Sequence, residues 1–210
     1  MKRIFFAVIT SLLLVFNLYS QNRISLEFTG GVISPIHSTN DGLLGTVQIN
    51  YYSFTDNYLY SYLSFSGWDK NKIAIFDPIG LRHNLYSEEN HSLFSFFIGD
   101  RYIFNRNKIF SAFVELELGY QNLNYTSVFP TRFINPDGTI EYLYDYGKKE
   151  IINENLVGLG VGLGIQHEIT NNCDIILSIK LNSNMNNSYN GFFSSQDTYF
   201  IYSGGFLFNL

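Results

Sequence analysis

Cysteine is nearly missing from this chain. Cys173 stands alone among 210 residues, which excludes an internal disulfide and a zinc cluster built on several thiolates. Long apolar runs are missing too: the longest, Ile4 to Phe16, is too short to cross about 30 Å of hydrocarbon as a helix. Basic charge is scarce. Lys and Arg number 13 against 18 Asp and Glu, a net charge of −5, which removes the electrostatic footing of a nucleic-acid binder. Only 15% of residues are charged while 46% are apolar, the opposite of a disordered composition. What is abundant is aromatic side chain, at 18%, and aromatics favour strands.

The N-terminus reads as an export leader. Met1-Lys2-Arg3 supplies a positive start, Ile4 to Phe16 an apolar stretch and Asn17 to Ser20 a more polar exit. Cleavage is expected between Ser20 and Gln21, so residues 1–20 form a signal peptide and 21–210 the mature domain. Losing Lys2 and Arg3 takes the formal charge from −5 to −7. A membrane anchor is the alternative, but no stop-transfer cluster follows. No cysteine lies near the cleavage site, which argues against a lipoprotein.

Beyond Gln21 the pattern is period two. Ile24, Leu26 and Phe28 alternate with Arg23, Ser25 and Glu27; Val47, Ile49 and Tyr51 with Gln48 and Asn50. Leu59, Leu63 and Phe65 oppose Tyr60, Tyr62 and Ser64, and Phe94, Phe96 and Ile98 oppose Ser95, Phe97 and Gly99. Val114, Leu116 and Leu118 oppose Phe113, Glu115 and Glu117. In the sixth segment Val157, Leu159, Val161, Leu163 and Ile165 face one way, with Gly158, Gly160, Gly162 and Gly164 facing the other. Ile175, Leu177 and Ile179 oppose Ser178 and Lys180, and Phe200, Tyr202, Phe206 and Phe208 oppose Ser203, Gly205 and Asn209. Such alternation argues for strands, and eight of them suit an up-and-down antiparallel barrel.

Connections alternate in length. Those after segments two, four and six are tight (Thr55 to Asn57, Asn105 to Lys108, Thr170 to Asn172). Those after three, five and seven are long (Asp69 to His91, Asn122 to Asn153, Ser183 to Gln196), while the first, around His37 to Asp41, is short. One barrel end is therefore closed by turns and the other carries loops.

Period two leaves open whether the apolar face points in, as in a soluble lipocalin-like carrier, or out, as in a membrane barrel. Segments of about 10 to 13 residues are long enough to span a membrane at a tilt. Aromatics gather at the tight-turn end (Tyr51, Tyr52, Phe54, Tyr58, Tyr102, Phe104, Phe110, Phe206, Phe208), as an interfacial girdle would. A sparser second set, Trp68, Tyr120, Tyr199 and Phe200, lies near the loop end. The glycines of segment six fall on the polar parity, where missing side chains make room in a narrow lumen for Tyr60, Tyr62, Phe97 and Phe113. The chain stops inside a strand, Phe206-Leu207-Phe208-Asn209-Leu210, which resembles the assembly signal of outer-membrane barrels but ends in Leu rather than Phe.

Together these features resemble the small bacterial outer-membrane barrels of OmpA/OmpX type, a likeness of architecture over the whole mature chain. The fold implied is all-β: an eight-stranded antiparallel up-and-down transmembrane β-barrel with short periplasmic turns and longer extracellular loops. The resemblance implies an outer-membrane location, insertion by the barrel-assembly machinery and contact with outer-membrane lipid and lipopolysaccharide. Functions in that group range from envelope integrity and adhesion to solute passage and lipid-modifying enzymes, and fold alone does not choose.

Candidate chemistry is sparse. The lumen parity carries Arg23, Glu27, Arg101, Glu115, Glu117, Glu168 and Lys180, and an ion network plugging the lumen is expected around the mid-strand members. Asp77, His83, Glu88, Glu89 and His91 share one loop but lack a metal-binding spacing, so no metal and no cofactor is expected. Leu181-Asn182-Ser183-Asn184 is similar to the His-x-Ser-Asn signature of outer-membrane lipid A deacylases. That resemblance would make Ser183 the nucleophile and Asn184 its signature partner, but Leu181 stands where the histidine base is needed. The expectation is a non-enzymatic monomer with a plugged lumen. Finally, Pro136-Asp137-Gly138 between two short alternating runs, within Thr131 to Tyr144, predicts a β-hairpin projecting beyond the membrane.

Overall fold

A computed structural model describes residues 24–36, 40–54, 56–76, 82–105, 110–127, 130–144, 147, 149–184 and 198–210. The expected leader 1–20, Arg23 and Asp77 lie outside the described residues, as do the side chains of Phe54, His83 and Glu88. The strands are β1 (Ile24–Pro35), β2 (Gly42–Phe54), β3 (Asn57–Phe76), β4 (Arg82–Phe104) and β5 (Phe110–Ser127), then β6 (Pro130–Ile134), β7 (Ile140–Tyr144), β8 (Glu150–Thr170), β9 (Cys173–Asn184) and β10 (Thr198–Asn209). Eight of them close into one barrel in the order β1-β10-β9-β8-β5-β4-β3-β2, every neighbouring pair antiparallel. The last strand closes the cylinder on the first, Leu26 opposite Phe208 and Ser25 opposite Asn209, with the Leu210 amide donating to the Ile24 carbonyl.

Side-chain orientation decides between the two barrel readings. Val161 and Leu163 are exposed on the outer wall (43% and 61%), while Glu115 is buried in the lumen (2%). Phe28, Val47, Ile49, Leu63, Phe96, Ile98, Leu116, Leu177 and Phe206 join the outer face. Greasy outside and charged inside is the inverse of a lipocalin and the arrangement a bilayer requires. From Phe110 to Tyr120, at about 3.3 Å per residue and a tilt of about 40°, the outward face of β5 climbs about 25 Å, the height of a hydrocarbon slab in such barrels. Above Tyr120 and Val157 the same face turns polar. There Asn122 donates to Asn153 and Asn155, and the Tyr120 hydroxyl bonds Asn155.

Two expectations need correction. First, the long connections Asp69 to His91 and Asn122 to Asn153 are largely strand, while residues 185–196 of the third lie outside the described residues. β3, β4, β5 and β8 run to 20, 23, 18 and 21 residues, against 12 or 13 for β1, β2, β9 and β10. The longer four are adjacent in the barrel, so their paired backbones continue past the apolar belt as an extended sheet on one side. Backbone pairing in water needs no apolar row, so the greasy pattern stops before the strand does.

Second, not all the strand-end aromatics belong to girdles. Tyr58 and Trp68 share the inward parity of Tyr60 and Tyr62, and Tyr199 shares that of Ile201; all three are buried inside. Tyr52 also packs against the buried cluster at the turn end. The exposed rings at that end are Tyr102, Phe104, Phe110, Phe206 and Phe208; toward the other, Tyr120 and Phe200 remain outside.

The interior is a solid core in three levels. At the turn end Tyr58, Ile103, Phe113, Ile176 and Leu207 pack together; Tyr60, Tyr62 and Phe97 stack mid-barrel. Near the other end lies a cluster of Ile33, Leu44, Trp68, Leu93, Leu123, Leu156, Tyr199 and Ile201. The expected hairpin forms from β6 and β7, Ile134 pairing Ile140. Its turn places Gly138 at φ +84°, a conformation that favours glycine, with the Gly138 amide donating to the Asn135 carbonyl.

The β8 glycines face inward against large neighbours. A methyl on Gly158 would come within 2.7 Å of the Phe97 ring, and one on Gly164 would press into the Phe113 ring and lie 2.5 Å from the Leu177 carbonyl oxygen. Gly45, facing outward, has nothing within 4 Å of such a methyl. Gly164→Ala is therefore expected to destabilise the barrel by about 1–3 kcal/mol, and Gly45→Ala to be neutral or stabilising by up to about 1 kcal/mol. Urea unfolding of the protein refolded in phospholipid vesicles measures both.

Candidate functional site

The chemistry of the molecule is concentrated mid-lumen. Inward positions on β1, β4, β5 and β9 supply Glu27, Arg101, Glu115, Glu117 and Lys180, and the five join in one chain of alternating charge. Arg101 forks onto Glu27 through both Nη atoms (2.8 and 3.2 Å) and donates from Nε to Glu115 Oε1 (2.6 Å). Lys180 Nζ lies 3.0 Å from Glu115 Oε2 and 2.9 Å from Glu117 Oε2. Glu117 also accepts from the Tyr60 and Tyr62 hydroxyls (2.8 and 2.7 Å) and from Asn182 Nδ2 (2.9 Å). At the far end Gln48 donates to Glu27 and to Asn50.

Local sequence explains how these side chains meet. Arg101 and Glu115 are direct cross-strand partners on neighbouring strands. Lys180 and Glu115 are not, because β8 lies between them; the residue opposite both is Gly162. Gly160 likewise stands between Glu117 and Asn182. A methyl on Gly160 would lie 2.5 Å from Asn182 Oδ1 and 2.6 Å from Glu117 Cγ, and one on Gly162 would lie 3.0 Å from Glu115 Oε2. Two glycines open the gap through which β5 and β9 join. Aromatic faces line the cations: Arg101 Cζ sits 4.3 Å from the Phe113 ring centre and Lys180 Nζ 4.7 Å from that of Tyr62.

Of the six expected network residues, Glu27, Arg101, Glu115, Glu117 and Lys180 come together. Glu168 does not. It is exposed beside the β8–β9 turn, opposite Asp174, where the strand has passed beyond the apolar layer that closes the lumen. Tyr60, Tyr62, Gln48 and Asn182 complete the network. Their signal was polar or hydroxyl character at mid-strand on the inward parity.

The remaining candidates whose side chains are described do not converge on a reactive centre. Ser183 Oγ is 3.2 Å from Thr198 Oγ1, and Asn184 donates to the Tyr199 hydroxyl. Leu181 pairs between Val161 and Phe200 and supplies no base. His167 stacks on Phe110 at the opposite end. His91 stacks between Trp68 and Tyr125 inside the wall, and Glu89 pairs with Lys149. Among the described residues no group of three His, Cys, Asp or Glu is arranged to hold a metal.

No protein-family model matches the sequence, and no curated relative matches it. Solved structures do. Neisserial surface protein A covers 90% of this chain and 97% of its own at 13% identity, with a TM-score of 0.53. A major outer membrane protein of Thermus thermophilus covers 90% and 99% at 12% identity, with a TM-score of 0.54. The chain has the fold of the outer-membrane β-barrels. The outer membrane protease OmpT of Escherichia coli is similar as well (8% identity, 90% and 97% covered, TM-score 0.51), so this architecture carries enzymes as well as other proteins.

Three carboxylates and two cations leave the network one negative charge in excess, which makes its members unequal. Arg101→Leu strands Glu27 and Glu115 and should cost about 3–5 kcal/mol. Glu27→Gln removes the excess charge, keeps the Arg101–Glu115 pair and should cost less than half of that. Denaturation midpoints in vesicles rank the two. On the β6–β7 turn, Asp137 accepts from the amide and the hydroxyl of Thr139 (2.9 and 2.6 Å), which holds its carboxyl below the ordinary 3.8. That support is complete above 3.8 and is lost as pH falls through the lower folded value. The Thr139 amide resonance should titrate with a midpoint below that of free aspartate.

Proposed function

We propose that this protein is an integral outer-membrane protein whose barrel is a closed, non-conducting and non-enzymatic scaffold. It acts in envelope structure or through contacts made by its extended strands and the β6–β7 hairpin. The observation that supports the reading is how fully side chains fill the lumen among the described residues. The ion network lies between two apolar clusters, and the cavity bordered by Glu27, Gln48, Tyr62 and Lys180 measures ≈ 20 Å³, room for about one water. An eight-stranded barrel is just wide enough for side chains to fill, which supports a barrel that passes no solute.

Export by a cleaved leader over residues 1–20, insertion by the barrel-assembly machinery and lipopolysaccharide around the hairpin end belong to this reading, as does a monomeric state. The acyl-hydrolase alternative lacks its base at Leu181. The refolded protein in a planar bilayer should stay silent under voltage; stable single-channel steps would contradict the scaffold reading. Incubation with lipid A should release no fatty acid, and robust deacylation would assign an enzyme instead.

A further inference from the structure

The outward row of β4 reads Phe94, Phe96, Ile98, Asp100, Tyr102, Phe104, and every member is exposed on the outer wall. Asp100 breaks the apolar pattern. Its cross-strand partners are Leu59 on β3 and Leu116 on β5, both exposed outward. Asn57 and Ser61 lie diagonally beside it on β3, opposite Tyr102 and Ile98. At about 3.3 Å per residue and a tilt of about 40°, Asp100 stands about 10 Å inside the level of Phe104 and farther still from Phe94. A side chain this short cannot carry its carboxylate to the interface as a lysine carries its ammonium.

Among the described residues, no other acid and no lysine or arginine faces outward between the aromatic rings. The lumen treats its charges differently: Glu27, Glu115 and Glu117 each meet a cation. A lipid-facing charge weakens a barrel, and an intramembrane ionisable group calls for a named partner. Among the described residues a second copy of this chain offers no cation on the matching face, so charge complementarity points to a different molecule. Asn57 and Ser61 add hydrogen-bonding groups to the facet, and Ile98, Leu59 and Leu116 frame it with apolar surface.

We propose that Asp100 is a lateral docking point for another membrane-spanning protein that presents a lysine or arginine at the same depth. The proposal rests on the membrane-barrel reading. Its test uses the full chain refolded in phosphatidylcholine vesicles with synthetic leucine-rich membrane-spanning helices, carrying either one arginine or only leucine at that depth. Fluorescence energy transfer reads association. The arginine helix should associate several-fold better than the leucine helix with the wild type, and Asp100→Leu should abolish that preference.

Equal association of both helices with the wild type, or a preference that survives Asp100→Leu, would overturn the proposal. So would a requirement for phosphatidylethanolamine, which would make a lipid amine the occupant. Without any helix, Asp100→Leu and Asp100→Asn should both raise the denaturation midpoint. A lowered midpoint would mean that the carboxylate is already satisfied within the chain, and docking would fall. Failure of the wild type itself to reach the compact, heat-modifiable form in vesicles would instead remove the membrane reading on which docking stands.

Discussion

Two missing side chains on β8 are what the interior depends on. Glu115 and Lys180 sit on strands that never pair, and Gly162 between them leaves room for both to meet, since a methyl there would lie 3.0 Å from Glu115 Oε2 and from Lys180 Cγ. Gly160 does the same for Glu117 and Asn182. A bulky residue at those positions would fill the gap and leave buried charges apart, each bearing a desolvation cost of several kcal/mol. Glycine in a strand ordinarily weakens it. Here the loss is offset by cross-braces between strands that the backbone ladder does not connect.

Buried ion pairs are weak sources of net stability, and this network is better understood as a device for register. A slip of one residue in β5 or β9 would turn Glu115, Glu117 or Lys180 into the lipid, a far larger penalty than any lost contact. The apolar clusters above and below lower the local dielectric and so strengthen each pair. Tyr60 and Tyr62 hold Glu117 through their hydroxyls while their rings face Lys180. Each level of the lumen thus supports the next.

Much of the fold is legible in the sequence because a bilayer tests every second residue. Val157 through Ile165 could not alternate with glycine by accident of composition, and the closing strand Phe206 to Leu210 announces its pairing through the same rhythm. Pro136-Asp137-Gly138 announces the hairpin through turn chemistry. Where the bilayer stops, the signal stops. β5 continues past Tyr120 with Asn122 and Asn124 on the face that is greasy below, so strand and loop look alike in the letters. Tyr58, Trp68 and Tyr199 mislead because aromatic character at a strand end suggests a girdle while their parity points inward, and parity is the better guide. Parity puts Glu27, Arg101, Glu115, Glu117 and Lys180 in the lumen. Which of them touch depends on the stagger between distant strands, which no local pattern records; Glu168 shares the parity but sits past the seal.

The unequal strands give the cylinder a front and a back. Four neighbours of 18 to 23 residues stand beside four of 12 or 13, so the surplus rises as a curved screen over half the circumference. At about 3.3 Å per residue and a tilt of about 40°, that screen stands about 20 Å above the shorter rim. Among the described strands the barrel is therefore taller on one flank than on the other, so its heading in the plane of the bilayer decides which flank a neighbour meets.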